Sequence, residues 1–484
     1  MTSFGRDRLT FVISLLSAPM TYTYLPLIAI IAYMLLQLAV SAYANSKIKS
    51  ETDYLLAGRH LGLWLGSFSL FATWFGAETV VASSGAIAAE GLAGGRAEPF
   101  GYAACLILLG IALAGKLRQG NYITTADFYR ERYGVAAEKI AVLLMVPTSL
   151  IWSAAQVLAF AHILSAVGHI DLNTALLIGT AMVVIYTTVG GFLGDVITDN
   201  IQSVVIIIGL IVTACFIVAQ LGGWDAAFSL ITADRLNVLS PDEPVWPQID
   251  EWTIAIVGSL VAQEAISRIL ATRSADVARK TCYIAAGLYF VVGLIPAFIG
   301  LAGYQLVPQD FYGDGFLPRI AETVLPQFAY VLFIGALVSA ILSTVNTTLL
   351  SVGGLLGHNI VIHGWPHLFE KEGSKVRLQR GLVMFAGLLT YGIAAGGQRI
   401  YDLIESSSSF GSAGLVVCLV FGLWTRRGTA AAALSAMAAG VFGIAVFQYY
   451  WEWPAAYIAT LIFSAVVYWG VAMLSKNRLI EVGR

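Results

Sequence analysis

Charge is what this sequence has least of. Only 12% of its 484 residues are Asp, Glu, Lys or Arg, against 58% hydrophobic and a mean hydropathy of +0.79, where a soluble globular protein carries about a quarter charged residues. A soluble multidomain enzyme is therefore excluded. With 27 Lys+Arg against 29 Asp+Glu the net charge is -2, so no basic excess attracts nucleic acid. Cysteine is also scarce. Cys105, Cys215, Cys282 and Cys418 stand singly in apolar segments, with no CxxC pair and no histidine at ligand spacing, which points to neither a disulfide framework nor a metal site. The loops carry no nucleophile–base pair, phosphate loop or nucleotide motif, so an enzyme is not expected and no organic cofactor is implied.

Long apolar runs are abundant instead. About thirteen stretches match the roughly 20 residues needed to cross 30 Å of hydrocarbon, near residues 22–43, 61–92, 100–117, 140–167, 172–189, 196–221, 252–271, 281–306, 330–360, 382–395, 401–424, 429–449 and 454–474. Backbone groups in lipid must be satisfied within the segment, so the expected fold is an all-α polytopic bundle. Six basic residues, Arg6, Arg8, Arg96, Arg235, Arg319 and Arg399, fall on one side of these spans and the remaining 21 of the 27 on the other. The positive-inside rule then predicts an external N-terminus and a cytoplasmic C-terminus in a cell membrane. Residues 6 to 18 pair two arginines with a short apolar run, and an interfacial helix, a cleaved leader and an extension upstream of Met20 all fit.

Two spans are interrupted at corresponding places. The stretch 61–92 contains Gly76, Gly85 and Gly91, and 252–271 ends in Gln263, Glu264, Ser267 and Arg268. Each opens a block of five spans, the pattern of a secondary transporter with inverted repeats. The expected organisation is an N-terminal segment and peripheral helix (1–60), repeat one (61–221), an external loop (222–251), repeat two (252–424) and C-terminal peripheral helices with a tail (425–484).

Chemistry concentrates in a few polar positions. In the ninth span Ala340, Ser343 and Thr344 stand at i, i+3 and i+4, so one carbonyl and two hydroxyls share a face on which a hard cation fits. The same hydroxyls equally suit bonds to their own i-4 carbonyls or to neighbouring helices. Asp199 follows the paired glycines Gly190 and Gly191 where the chain re-enters the membrane, and reads either as a functional acid or as an interfacial cap. Glu264 and Arg268, four apart, read first as a helical ion pair. The Ser406–Ser409 run suits a gating break or close packing. His363 and His367, flanking a proline, read as solvated rather than as ligands.

The run Tyr186–Gln202, with its tyrosine-threonine, paired-glycine and threonine-aspartate-glutamine pattern, resembles the signature of the sodium:solute symporter family. Residues 263–280 (QEAISRILATRSADVARK), 53–62 (DYLLAGRHLG) and the polar ninth span are similar to that family too. The resemblance implies a leucine-transporter-like core of two five-helix inverted repeats and a multi-pass carrier importing a small organic solute with Na+. Its sodium site would use carbonyls of Ala72 and Phe75 with Ala340, Ser343 and Thr344. A second site known in some relatives would fall on Asp199, Asn346 and Thr347, with Ser343 shared. No metal other than Na+ is implied.

Within the family the chain looks most like the high-affinity choline transporter branch, whose aromatic cage positions match Trp74, Tyr102 and Trp152. Such cages bind quaternary ammonium through cation–π attraction. The fourth cage position is Ala262, the branch's ninth-span aspartate is Asn346, and Glu78 and Glu264 are acids that the choline pattern lacks. A cationic or zwitterionic amine such as a choline-like compound, betaine or an amino acid is the expected solute, since a buried carboxylate is costly unless paired. A solute-sensing module of the same fold and a proton-coupled carrier remain as alternatives.

Overall fold

We describe residues 25–313, 315–396 and 411–475 in a computed structural model. The basic-apolar stretch at 6–18 and the serine run at 406–409 lie outside the described residues. Among those described, the secondary structure is helical apart from a single bridge between Leu61 and Thr272.

Among the described residues, eight helical runs are long and apolar enough to cross a membrane, nine if the bent pair Val245–Val261 and Gln263–Ala271 is one span. Counting runs understates crossings. One run covers Leu172–Leu221, and 50 helical residues at 1.5 Å each extend about 75 Å, more than twice the hydrocarbon thickness. That run breaks at Gly191, with φ 54° and ψ -159°, a conformation essentially reserved for glycine. A Cβ there would also lie 2.8 Å from the ring of Tyr54. Large apolar side chains face outward, Ile111, Leu143 and Leu388 being 62%, 65% and 70% exposed, as a lipid-facing surface requires.

Ten helices position the site. They are α1 (Leu25–Asn45), α2 (Glu51–Leu56), α3 (Leu63–Trp74), α4 (Tyr102–Leu109), α5 (Thr125–Tyr133), α6 (Val135–Gly168), α7 (Leu172–Leu221), α8 (Gln263–Ala271), α9 (Ala275–Gly303) and α10 (Gln327–Gly354). Capping boxes at Ser50–Asp53 and Thr124–Asp127 start α2 and α5, each satisfying two end donors reciprocally.

Both interrupted spans are broken. Helix α3 stops at Phe75 (φ -77°, ψ 68°) and helical structure resumes at Glu78 as a π-helical turn. Before α8, Ala262 is extended (φ -61°, ψ 114°) and the axis bends by 47°. The ends of the two spans are stitched together, because Leu61 N donates to Ala271 O (3.1 Å) and Arg273 N to Leu61 O (3.1 Å).

Around the start of α5 the polar groups form a network. Burial alone would raise the Asp127 carboxyl, but hydrogen bonds from His358, Thr124 and Ile123 outweigh it and hold it below the usual carboxylate range. His363 is half-buried and its Nδ1 lies 2.5 Å from Glu138 Oε1, whereas His367 is exposed. The solvated reading thus holds for His367 and fails for His363, whose partner is 225 residues away in sequence.

Candidate functional site

The break in α3 faces the middle of α10. Ser343 Oγ lies within hydrogen-bond reach of both the Ala72 carbonyl (3.0 Å) and Asp199 Oδ1 (2.5 Å), and Thr344 Oγ1 donates to the Ala340 carbonyl (3.2 Å). Phe75, with Ala72, Ala340, Ser343 and Thr344, is fully buried. Gly76 sets the approach: a Cβ there would stand 2.9 Å from both Thr344 Oγ1 and Gln156 Oε1. Oxygen donors thus converge on the helix break without any bulky side chain between them, the type of ligand a hard cation takes.

Beside this lies a buried charge cluster. Asp195 and Asp199, four apart on α7, project from one face, and the Arg268 guanidinium from α8 reaches both, bonding Asp195 and sitting 2.9 Å from Asp199 Oδ2. It also donates to Thr347 Oγ1 (2.5 Å) and stacks 4.9 Å from the Phe192 ring centroid. Ser69 Oγ donates to Asp199 Oδ2 (2.5 Å) and Asn346 Nδ2 to Asp195 Oδ1 (2.6 Å). Asp199 is completely buried, eight residues past the Gly191 break and within the helix that follows it, so it is not an interfacial cap.

One reading from the sequence changes. Arg268 pairs with Asp195 and Asp199 and reaches Glu264 only through its backbone carbonyl, at 3.4 Å, because the α8 backbone turns the guanidinium toward α7. Around the same cluster Asn346 and Thr347 bond Asp195, while Asp199 bonds Ser343 and Ser69. Asp195 went unnoticed, although its place one turn before Asp199 in an apolar helix was a legible signal. Two carboxylates against one guanidinium leave one formal negative charge in full burial. Asn346 Oδ1 is a buried acceptor with no partner among the described residues.

On the other side of the α3 break is a cavity of about 70 Å³, several times the space one water needs. Trp74, Tyr102, Trp152, Ala262 and Glu264 all line it. The Trp74 and Tyr102 rings lie 5.5 Å apart between centroids at 59°. Tyr102 donates to Glu78 Oε1 (3.2 Å), which places Glu78 behind the aromatic wall rather than in it. Glu264 is 4% exposed, and its Oε2 has no partner among the described residues.

Behind Trp74 a third acid appears. Glu98 accepts from the Tyr289 hydroxyl at 2.7 and 2.8 Å, and that hydroxyl also meets Thr79 Oγ1 (2.8 Å) and the Trp74 carbonyl (3.3 Å). Glu98 was missed because it follows Arg96 in what reads as an interspan loop. The structure instead folds 96–101 into a π-helical turn packed inside.

These features define a multi-pass helical membrane protein with a broken-helix centre. Residues 54–440 match the model of the sodium:solute symporter family, and the chain belongs to that family, whose members are transporters and not enzymes. It is 27% identical over 398 residues to the high-affinity choline transporter 1 of Drosophila melanogaster, covering 78% of this chain and 63% of that protein. It is 24% identical to the sodium/pantothenate symporter of Escherichia coli K12, over 86% of this chain and 88% of that one. Its fold is similar to that of a Na+-coupled sialic acid symporter in a substrate-bound outward-open state, with a TM-score of 0.82, 19% identity and coverage of 93% of this chain and 98% of that one.

Proposed function

We propose that this protein is a sodium-coupled symporter importing a small organic amine, cationic or zwitterionic, by alternating access. The observation that carries the reading is the position of the α3 break, with an oxygen-lined centre at Ser343, Ala72 and Asp199 on one side and the aromatic cavity with Glu264 on the other. Na+ at the break, coordinated by carbonyls of Ala72, Phe75 and Ala340 and hydroxyls of Ser343 and Thr344, stabilises an outward-open state. The solute sits against Trp74, Tyr102 and Trp152 beside Ala262, with Glu264, and Glu78 behind Tyr102, supplying negative charge. Rocking of one repeat then releases both to the cytoplasm.

The charge left over at Asp195, Asp199 and Arg268 supports a second Na+ near Asp199, Asn346 and Thr347, for which Asn346 Oδ1 is a ready acceptor. This reading includes thirteen crossings, inverted repeats over 61–221 and 252–424, peripheral segments at 1–60 and 425–484, an external loop at 222–251, and a cytoplasmic C-terminus. The acids Glu78 and Glu98, without a basic residue bonded to either among the described residues, favour proton coupling as the second reading.

A ligand-induced thermal-shift panel of choline, betaine, proline and other amino acids, polyamines, sugars and pantothenate, with and without Na+, tests this. An amine should stabilise the protein only with Na+ present. Trp74→Ala should weaken it by the ~0.5–2 kcal/mol of a cation–π contact, and Ser343→Ala with Thr344→Ala should raise the Na+ required. Sugar-only stabilisation that survives Trp74→Ala and Glu264→Gln would sink the proposal, and stabilisation that follows pH rather than Na+ would favour the proton carrier.

A further inference from the structure

At the end of α10 the helix widens. Residues Leu355–Ile362 are π-helical, a geometry that recurs at functional sites. In an α-helix, residues five apart point about 140° away from each other. Here the wider turn brings His358 and His363 together, with ring centroids 4.4 Å apart. Asp127 joins them from α5, and ligand atoms of the three residues all lie within 4.8 Å of one another. His358 Nε2 stands 3.4 Å from Asp127 Oδ1, close to the ~3.3 Å that separates two ligands about 2.0 Å from one tetrahedral zinc.

The surroundings carry a second, independent sign. The Nδ1 of each imidazole faces its own carboxylate, Glu51 Oε1 at 3.2 Å for His358 and Glu138 Oε1 at 2.5 Å for His363. A histidine bound to a metal through one nitrogen characteristically gives its other N–H to a carboxylate, which fixes the tautomer and makes the ligand more basic. Those carboxylates are anchored in turn, Glu51 by Gln379 Nε2 (2.8 Å) and Glu138 by Asn359 Nδ2 (2.9 Å) and Arg130 (2.9 Å). The other charged groups facing the cluster are Lys139, which donates to the Asn359 and Ile360 carbonyls, and Glu372, which accepts from Glu51 N. Three carboxylates, Glu51, Asp127 and Glu138, thus surround the two imidazoles, a setting that suits a cation.

We propose that Asp127, His358 and His363 form a binding site for a divalent transition-metal ion of the zinc class. Each imidazole binds through Nε2, the fourth tetrahedral position is left to water, and Glu51 and Glu138 orient the ligands. The bound ion ties α5 to the end of α10, and through the two carboxylates also α2 and α6. It is separate from the Na+ centre, since imidazole suits zinc whereas Na+ takes the hard oxygen donors around Ser343.

Titration of the purified full chain with Zn2+ against a competing fluorescent chelator should give one ion per chain. His358→Asn with His363→Asn should abolish that site, Glu138→Gln should weaken it ~10- to 100-fold, and His367→Asn should leave it unchanged. Co2+ added to the unsubstituted protein should develop the visible absorption of a tetrahedral site, a readout that needs no variant to fold. Absence of stoichiometric Zn2+ binding, an octahedral Co2+ spectrum, or equal binding by the double variant, meaning an adventitious ion only, would each overturn the assignment.

Discussion

Arg268 is a fully buried guanidinium held by carboxylates 69 and 73 residues away in sequence. Removing one partner of a buried ion network leaves uncompensated charge and typically costs about 3–5 kcal/mol, whereas replacing partners together costs far less. Arg268→Gln should accordingly lower the unfolding temperature of the purified protein markedly, and Arg268→Gln with Asp195→Asn should recover a large part of the loss. Equal losses in the single and double variants would show that Arg268 acts by packing alone. At this scale the sequence was half legible. Glu264 and Arg268 look like an i,i+4 pair, and only the tertiary placement of α7 reveals that the arginine's partners come from another helix.

At the next scale the proposed function rests on helix breaks, and glycine marks them for two different reasons. Gly191 is needed for a positive φ, but Gly76 has no such requirement and serves only to let α3 and α10 approach. Ala is conformationally allowed at 76, yet its methyl would press on Thr344 Oγ1 and Gln156 Oε1 at 2.9 Å. Gly76→Ala should therefore preserve folding while raising the Na+ concentration for half-maximal solute binding. Unchanged Na+ dependence would separate Gly76 from the ion centre. The interruption of spans 61–92 and 252–271 was readable from misplaced glycines and polar residues. The π-helical turns at 78–82, 96–101 and 355–362 left no such mark, since an extra residue per turn is decided by what packs around it.

For the whole molecule the proposed coupling makes a quantitative demand. An ion can shift the conformational balance only by its preference for one state, and the shift is reciprocal. The factor by which saturating Na+ tightens solute binding should equal the factor by which saturating solute tightens Na+ binding, measured by isothermal titration in both orders. A factor of one, with Na+ leaving solute affinity unchanged, would exclude the proposed coupling.

The sequence by itself determined that this chain is a helical membrane protein, which spans are broken, and that Ser343 and Thr344 share a face with Ala340. Hydrophobicity, helical period and turn residues are local properties, and local properties are written in order along the chain. Tertiary structure alone decided that Asp195 shares Arg268 with Asp199, that Glu98 lies behind Trp74, that Glu264 opens into the aromatic cavity, and that His358 and His363 meet Asp127. Each of these depends on which faces of distant helices come together, and a buried charge acquires its meaning only from the partners that packing brings to it.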